Sequence, residues 1–402
     1  MTAATEHTGP LKGIRVIDLT RILAGPFCTM NLGDMGAEVI KIERPGSGDD
    51  TRRWGPPFAG AEAAYFLGVN RNKRSVTLNL KEERGREILK SLLINADVLI
   101  ENFKTGTLEA WGVTQAWREE HAPKLVHCQI TGYGDKGPKG GLPGYDFLLQ
   151  AESGLMSITG ERDGGPIKYG VAIVDVCTGM YAAMGILAAL NARASTGKGQ
   201  RITATLFDTS LSMLVNVASN YLISGKRPGR FGNGHANIVP YRDFPCGDGE
   251  IALAVGNDEQ FARFAACVGH GEWARDERFK TNPARVENRD ILEPMIREAL
   301  QPRSARTWIA KLQKEGIPCS MVAPVDEALE SEQAKANNMV VEMEHPSAGT
   351  IRMLGIPYHF SDTPEAIQSP PPELGADTDS VLKALAGLNE ADLDALREKG
   401  VI

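Results

Sequence analysis

The alternation of apolar and polar positions predicts strands and helices that follow each other regularly through the first half of the chain. Short apolar or alternating segments indicate strands, and the segments between them carry apolar residues at helical spacing. The predicted strands are residues 14–19, 38–43, 75–80, 97–101, 124–130 and 200–206. The predicted helices include residues 24–35, 83–93 and a long apolar helix over about 178–192. This order predicts an α/β fold, in which helices cover both faces of a mostly parallel sheet.

A change in composition after Tyr221 indicates a second domain. Residues 224–234 are rich in glycine, arginine and proline, and we predict that they form a linker or a mobile loop. A strand at 250–255 and helix-rich sequence follow this segment. We therefore predict a smaller domain over residues 225–325.

The overall composition is that of a globular protein without a strongly basic surface. Of the 402 residues, 42% are hydrophobic and 24% are charged, and the net charge is −7. This charge argues against a nucleic-acid partner, because such binding usually depends on a basic surface. It still allows a local basic pocket for a phosphorylated ligand.

The cysteine and histidine positions argue against a metal centre. The six cysteines form no CxxC pair, and the chain has no HExxH motif. We expect reduced, mostly buried thiols in a cytoplasmic protein.

Residues 1–10 lack the apolar segment of a signal peptide, and the apolar segment 180–190 is too short to cross a bilayer. We therefore expect no membrane partner.

A glycine motif after the strand at 124–130 fits a dinucleotide-binding fingerprint but lacks its context. Gly132, Gly134 and Gly137 match GxGxxG, yet a dinucleotide site also needs a helix that begins there. The chain continues instead with loop-forming residues over 138–144. We therefore predict a loop at this position and no NAD site.

Two basic residues are predicted at the ends of strands. Arg44 follows the strand at 38–43, and Lys81 follows the strand at 75–80. In an open α/β sheet, ligands bind beyond the carboxyl ends of the strands. Both cations would suit the phosphate groups of a ligand, and ordinary solvated surface charge is the alternative.

Asp175 interrupts an apolar segment immediately before the long apolar helix. One interpretation is an N-cap, since aspartate is a preferred capping residue. The other is a catalytic carboxylate, whose ionised form is favoured by the helix dipole and disfavoured by apolar neighbours. The residues alone leave both interpretations open.

Six segments together resemble family III of the CoA-transferases, the formyl-CoA and carnitine-CoA transferase group. They are LKGIRVIDLTRILAGPF (11–27), GAEVIKIERPGSGDDTR (36–52), NRNKRSVTLNLK (70–81), DVLIENF (97–103), ITGYG (130–134) and VDVCTGMYA (174–182). The resemblance covers nearly the whole chain. Residues 49–58, 220–226 and 232–244 are most similar to the branch typified by succinyl-CoA:glutarate or hydroxymethylglutarate CoA-transferase.

The resemblance implies a fold and a set of site residues. It implies a large Rossmann-like domain formed by residues 1–224 and 326–402, a small α+β domain and an interlocked homodimer. It also implies that Asp175 is the nucleophile. The residues implied in CoA binding are Arg21, Leu23, Ala24, Arg44, Leu78, Lys81, Asn102, Phe103 and Tyr145. Those implied in the substrate pocket are Trp54, Tyr65, Arg71, Gly234 and His235, the last two in a glycine-rich loop over 232–237.

The implied reaction moves CoA from a donor such as succinyl-CoA to a free dicarboxylate, through an aspartyl anhydride and an aspartyl-CoA thioester. Coenzyme A and acyl-CoA are then substrates, and no permanently bound cofactor is expected. The candidate cations for the distal carboxylate are Arg52, Arg53, Arg71 and His235.

Two alternative functions stay open. A racemase of the same superfamily would need a histidine base where Tyr145 stands, and a nucleotide-binding protein without catalysis would not depend on Asp175.

Overall fold

The computed structural model describes residues 8–402, which form two compact units. The first unit comprises the described chain up to Ser153, Gly170–Met213 and Ser331–Ile402, and the second comprises Gly154–Tyr169 and Leu214–Glu330. Compared with the predicted small domain, the second unit begins earlier and also includes Gly154–Tyr169. Residues 1–7, part of the segment considered for a signal peptide, lie outside the described residues.

Strands and helices alternate along most of the described chain. The strands are β1 (Arg15–Asp18), β2 (Glu38–Glu43), β3 (Phe58–Ala59), β4 (Glu62–Ala63), β5 (Lys73–Thr77), β6 (Val98–Glu101), β7 (Val126–Thr131), β8 (Arg201–Thr205), β9 (Tyr241–Pro245), β10 (Glu250–Ala254), β11 (Cys319–Met321), β12 (Val340–His345) and β13 (Gly349–Leu354). The helices are α1 (Ala24–Asp34), α2 (Ala64–Leu67), α3 (Glu83–Ile94), α4 (Thr107–Ala110), α5 (Gln115–His121), α6 (Asp146–Glu152), α7 (Leu155–Ile158), α8 (Ile173–Thr196), α9 (Leu206–Ser212), α10 (Val215–Ser224), α11 (Asp258–Val268), α12 (Asn282–Glu287), α13 (Arg289–Leu300), α14 (Ala305–Lys314), α15 (Val325–Leu329), α16 (Glu332–Ala336), α17 (Thr378–Ala386) and α18 (Glu390–Glu398).

A six-stranded parallel sheet forms the centre of the first unit, which confirms the predicted α/β fold. The strand order is β5-β2-β1-β6-β7-β8, and every neighbouring pair is parallel. Val16 and Ile17 point to opposite faces of β1, and both are 0% exposed. Both faces of the sheet are therefore covered, as is typical of parallel sheets.

Residues from both ends of the chain meet in one apolar core of the first unit. This core joins Ile17 and Ile40 of the sheet to Leu89 of α3, Leu382 of α17 and Leu393 of α18. The C-terminal helices therefore complete the hydrophobic core that begins with the first strands.

The long apolar helix α8 begins at Ile173, five residues before its predicted start. It packs against α1, β7 and β8. Gly179 allows a close approach to α1, because a Cβ at this position would lie 2.5 Å from the carbonyl oxygen of Ala24. By length and composition α8 is apolar enough to cross a membrane, a criterion that the core helix of a globular protein also meets.

The second unit has a three-stranded antiparallel sheet of its own, in the order β11-β10-β9. Its apolar core includes Phe244 of β9, Phe261 of α11 and Trp308 of α14. Arg285 is fully buried there, and its guanidinium group donates to the carbonyl oxygens of Val239 and Phe279, among others. The unit therefore has a core separate from that of the first unit.

Candidate active site

The strand order of the first unit creates a crevice between β1 and β6. From β1 the sheet continues to β2 and β5, and from β6 it continues in the other direction to β7 and β8. Ligands bind at such a reversal, outside the carboxyl ends of the strands. The turns that follow β1 and β6 are joined here. Arg21 N donates to Asn102 Oδ1 at 3.0 Å, and Asn102 Nδ2 donates to the carbonyl oxygen of Arg21 at 2.7 Å.

Two adjoining cavities open at this edge of the sheet. The cavity that contains Asp175 has a volume of about 380 Å³, and its neighbour has a volume of about 210 Å³. Arg21 and Phe103 line both, so the two cavities together suit an elongated ligand. Along residues 8–402 no group of three or more His, Cys, Asp or Glu side chains is placed to hold a metal ion.

Asp175 lies in the first turn of α8 and is not its N-cap. The N-cap is Ala172, whose side chain makes no capping hydrogen bond. Instead Asp146, the first residue of α6, accepts hydrogen bonds from Val174 N at 2.8 Å and from Asp175 N at 3.4 Å. The capping interpretation of Asp175 is therefore wrong, because another carboxylate caps the helix.

The surroundings of Asp175 oppose ionisation of its carboxyl group. Burial, together with the negative charge of Asp146, raises the pKa of Asp175 to about 7. Among residues 8–402 no side chain forms an ion pair with this carboxylate that would offset the effect. A carboxylate with a raised pKa is more basic than an ordinary one and is correspondingly a stronger nucleophile.

Two aromatic side chains of the first unit, Tyr65 and Trp54, lie edge to face, with ring centroids 5.4 Å apart. Burial, and then the charges of Asp175 and Asp146, raise the pKa of Tyr65 to about 12. The Tyr65 hydroxyl therefore keeps its proton at neutral pH and is available as a hydrogen-bond donor.

The turn between β1 and α1 has a strained backbone. Ile22 has a φ of 75°, in the left-handed region that β-branched residues avoid. Its N–H group donates to both carboxylate oxygens of Asp49, each at 3.3 Å. Asp49 is in turn paired with Lys41 at 2.9 Å, and both side chains are fully buried. This buried ion pair fixes the turn that lines the Asp175 cavity.

Comparison with known proteins identifies the family of this chain. The family model described as CoA-transferase family III matches residues 11–378. The chain belongs to CoA-transferase family III. Succinyl-CoA:glutarate CoA-transferase from Homo sapiens is 41% identical over 393 residues, which cover 98% of this chain and 90% of that protein.

Further relatives support the assignment to this family of CoA-transferases. The succinate–glutarate CoA-transferase of Agrobacterium fabrum is 41% identical over 391 residues, which cover 96% of this chain and 98% of that protein. The crystal structure of a CAIB/BAIF family protein from Brucella suis is 42% identical, with a TM-score of 0.82, and covers 94% of this chain and 100% of that chain. The predicted family and enzyme class are confirmed: the protein is a CoA-transferase. Its homodimeric state and cytoplasmic location stay predictions.

The structure of this CoA-transferase brings the residues expected to bind CoA to the same two cavities. Those that line the Asp175 cavity are Arg21, Leu23, Ala24, Asn102, Phe103 and Tyr145. Those that line the neighbouring cavity are Arg21, Arg44, Leu78, Lys81 and Phe103. Arg44 directly follows β2, as predicted, whereas β5 already ends at Thr77, four residues before Lys81. Contact of these residues with CoA stays a prediction.

Two candidate cations for the distal carboxylate are held in buried ion pairs. Arg71, predicted in the substrate pocket, donates to both oxygens of Asp34 at 2.9 and 2.7 Å and lines neither cavity. Arg52 is paired with Glu43 at 2.7 Å. Since a buried carboxylate already neutralises each of them, they are poor candidates for a substrate carboxylate. Arg53 differs in that its side chain is 64% exposed, but it lies 3.8 Å from Asp50 and also lines neither cavity.

Gly234 and His235 belong to the second unit, in the loop over 232–237. Asn237 N donates to His235 Nδ1 at 3.0 Å, so in the neutral ring the proton is carried by Nε2. Arg289 donates to the carbonyl oxygens of His235 and Ala236 at 3.1 and 2.9 Å. Side chains of its own unit therefore hold this loop, and a role of Gly234 and His235 toward the substrate stays a prediction.

Three residues at the site are missing from the sequence-based expectations. Lys104 lines the Asp175 cavity directly after Phe103, and the signal is the same as for Arg44, a cation just beyond a strand. Gly132 allows the backbone at Gly144 to approach closely, because a Cβ at position 132 would lie 2.5 Å from Gly144 N. Asp146 has no comparable signal, because its partners on α8 are distant in sequence.

Proposed function

We propose that the protein transfers CoA from succinyl-CoA to a glutarate-like dicarboxylate, with Asp175 as the nucleophile. The observation that carries this proposal is the Asp175 cavity, which the carboxylate shares with Arg21, Asn102 and Phe103 at the reversal of the sheet. Coenzyme A is long enough to need both adjoining cavities, and its reactive thioester has to lie beside the nucleophile.

In this proposal the nucleotide part of CoA occupies the cavity lined by Arg44, Leu78 and Lys81. The two cations pair with phosphate oxygens. Phe103 and Trp111, whose ring centroids lie 5.1 Å apart, offer aromatic surface to the adenine base. The pantetheine arm then passes Arg21 and extends towards Asp175.

The proposed reaction proceeds through two kinds of covalent intermediate on Asp175. A carboxylate oxygen of Asp175 attacks the thioester carbon of succinyl-CoA, the carbon–sulfur bond breaks, and CoA thiolate leaves a mixed anhydride. The thiolate then attacks the side-chain carbonyl carbon of Asp175, succinate leaves, and an aspartyl-CoA thioester forms. The acceptor carboxylate repeats these two steps in reverse order, and the Asp175 carboxylate is regenerated with the acceptor as its CoA ester.

The environment of Asp175 suits these steps. Each step exchanges a carboxylate for a thiolate or the reverse, so no proton has to be transferred. The nucleophile needs instead to be basic and shielded from water, because water would hydrolyse the anhydride. Asp175 is partly buried in its cavity, which limits the access of water, and this burial keeps the carboxylate basic.

The acceptor is proposed from the names of the relatives. The relatives from Homo sapiens and Agrobacterium fabrum are named for succinyl-CoA or succinate and for glutarate. Hydroxymethylglutarate, itaconate, malate and sulfur analogues differ from glutarate by small groups, worth about 1–3 kcal/mol of discrimination in a pocket.

A CoA-exchange assay tests this proposal. Succinyl-CoA is incubated with each candidate acceptor, and the CoA esters are separated by chromatography. We expect a dicarboxylate of about the length of glutarate to give the highest kcat/KM. Asp175→Ala should lower transfer by about 10³-fold or more while the protein stays folded, and Asp208→Ala, an exposed aspartate of α9, should retain it. Substantial transfer by Asp175→Ala would contradict the role of Asp175.

We also propose that two chains form a homodimer. Both α8 and α10 carry large apolar side chains that are exposed in the single chain, including Met184 (62%), Leu222 (78%) and Ile223 (88%). Exposed apolar patches of this kind mark protein interfaces. Light scattering in solution should give twice the chain mass of 43.4 kDa, and a monomer at all concentrations would contradict this expectation.

A further inference from the structure

The N-terminus of α8 is capped by a side chain from another element. Its own N-cap, Ala172, has no side-chain acceptor, and Asp146 takes this place. Oδ1 of Asp146 accepts from the N–H of Val174 at 2.8 Å and from the N–H of Asp175 itself at 3.4 Å. Oδ2 of Asp146 accepts from Gln150 Nε2 at 2.6 Å. Because both oxygens are engaged, the carboxylate is fixed between α6 and the first turn of α8.

A charged cap has a consequence here that a neutral cap would not have. Serine or asparagine caps a helix about as well as aspartate. The carboxylate of Asp146, however, places a second negative charge beside Asp175, and like charges at short range disfavour each other's ionisation. This charge adds to the effect of burial on the pKa of Asp175. The cap therefore also changes the chemistry of the residue whose N–H it accepts.

The other titratable groups around α8 do not have this effect. The elements packed against α8 are α1, α6, α9, β7 and β8. Their titratable side chains, with those of α8 itself, are Cys28, Asp34, His127, Cys128, Asp146, Glu152, Asp175, Cys177, Tyr181, Arg193, Arg201 and Asp208. Tyr65 of α2 is also near enough for its pKa to respond to the charge of Asp175. Of these neighbours, Asp146 is the one whose charge raises the pKa of Asp175.

We propose that Asp146 is a positioning residue for CoA transfer, one that fixes the first turn of α8 and holds a negative charge beside the carboxylate that attacks the thioester. The inference rests on the proposed role of Asp175 as nucleophile. The geometry gives Asp146 two separable tasks. Its hydrogen bonds to the backbone of α8 need only an acceptor oxygen, whereas its effect on basicity needs the negative charge.

Two variants separate these tasks. Asp146→Asn keeps an acceptor oxygen and removes the charge, and Asp146→Ala removes both. The matched control is Asp208→Asn, the same change at an exposed aspartate in the first turn of α9, which also packs against α8. For each protein, kcat and kcat/KM for succinyl-CoA are measured between about pH 5 and 9, and the Tm is recorded.

The charge and the hydrogen bonds should give different signatures. The wild-type kcat/KM should rise with pH to a plateau, with its midpoint near the pKa of Asp175. Asp146→Asn should move this midpoint about one unit lower and reduce the plateau kcat about 3- to 10-fold, because a less basic carboxylate attacks more slowly. Its Tm should fall less than that of Asp146→Ala, because asparagine keeps the acceptor for Val174 N and loses only the acceptor for Gln150 Nε2. Asp146→Ala should show the same midpoint shift with a larger loss of kcat and a lower Tm, and Asp208→Asn should match the wild type.

Failure of this inference is distinguishable from failure of the proposed function. If Asp146→Asn leaves the midpoint unchanged while wild-type Asp175 becomes acylated, the role of Asp146 is overturned and the nucleophile stands. If wild-type Asp175 is never acylated, the proposed function itself is overturned. Because Asp146→Asn preserves the cap, the test does not depend on the folding of Asp146→Ala.

Discussion

Two carboxylates in the adjoining cavities, Asp49 and Asp175, have opposite electrostatic environments. Burial alone would raise the pKa of Asp49, but the ammonium group of Lys41 and hydrogen bonds from Thr51 lower it to about 2. Asp175 is partly buried and lies beside Asp146, and its pKa rises to about 7. The same side-chain type is therefore held as a stable anion in one cavity and as a basic, unpaired group in the other.

The two carboxylates have different roles: Asp49 supports the structure of the site, and Asp175 is the group proposed to react in it. The paired Asp49 accepts the N–H of Ile22 and so holds the strained turn after β1. The unpaired Asp175 lowers the stability of the fold when it ionises, since no partner compensates its charge. Active sites commonly combine such a destabilising group with a well-stabilised surrounding.

The largest expected effect on stability comes from removal of the paired carboxylate. Asp49→Ala would leave Lys41 fully buried without its closest counter-charge, and loss of one partner of a buried pair costs about 3–5 kcal/mol. The free energy of unfolding, measured by urea denaturation at pH 7, should fall by this amount. A loss below about 1 kcal/mol would show that the ion pair does not support the fold.

Replacement of the unpaired carboxylate, Asp175, should have a smaller effect on the free energy of unfolding, and this effect should be stabilising. As the pH rises from about 4 to 7, Asp175 loses its proton in the unfolded chain, where its pKa is near 3.8, but keeps it in the folded protein. The folded state therefore becomes less stable through this range, and the loss is complete above the folded pKa. Asp175→Asn should be more stable than the wild type by about 1–3 kcal/mol at pH 8 and about equal near pH 4. An equal difference at both pH values would contradict the raised pKa.

The smallest effect on the free energy of unfolding is expected from replacement of Asp50, the neighbour of Asp49 in sequence. Its carboxylate pairs with Arg21 at 3.2 Å, and both side chains are more than a third exposed. Exposed pairs contribute little, so Asp50→Ala should change the free energy of unfolding by less than about 1 kcal/mol. This variant is the matched control for Asp49→Ala, and a loss as large as that of Asp49→Ala would remove the contrast between buried and exposed pairs.

The sheet, and the edge of the sheet where the candidate site lies, could be predicted from the sequence. Each strand of the parallel sheet is a compact apolar or alternating segment, and carboxyl ends of parallel strands meet at one edge. Arg44 and Lys81, identified because they follow predicted strands, line the same cavity. The GxGxxG motif at Gly132 was correctly predicted as a loop, because no helix begins after it.

The details that give the site its chemistry depend on contacts between distant parts of the chain. The start of α8 at Ile173 places Asp175 inside the helix, and the cap comes from Asp146, which no local pattern reveals. The left-handed conformation of Ile22 contradicts the preference of its residue type and exists because the surrounding hydrogen bonds impose it. From the sequence, Arg71 is a candidate cation for the substrate, but in the structure its guanidinium group pairs with the buried carboxylate of Asp34.

The central claim is that the Asp175 carboxylate itself is acylated and then carries CoA. The most direct measurement incubates the protein with succinyl-CoA in the absence of acceptor, adds hydroxylamine, and locates the modified residue by mass spectrometry of the peptides. We expect a hydroxamate at Asp175, absent when succinyl-CoA is omitted and absent in Asp175→Asn. A protein that transfers CoA at full rate while Asp175 is never modified would contradict the proposed mechanism.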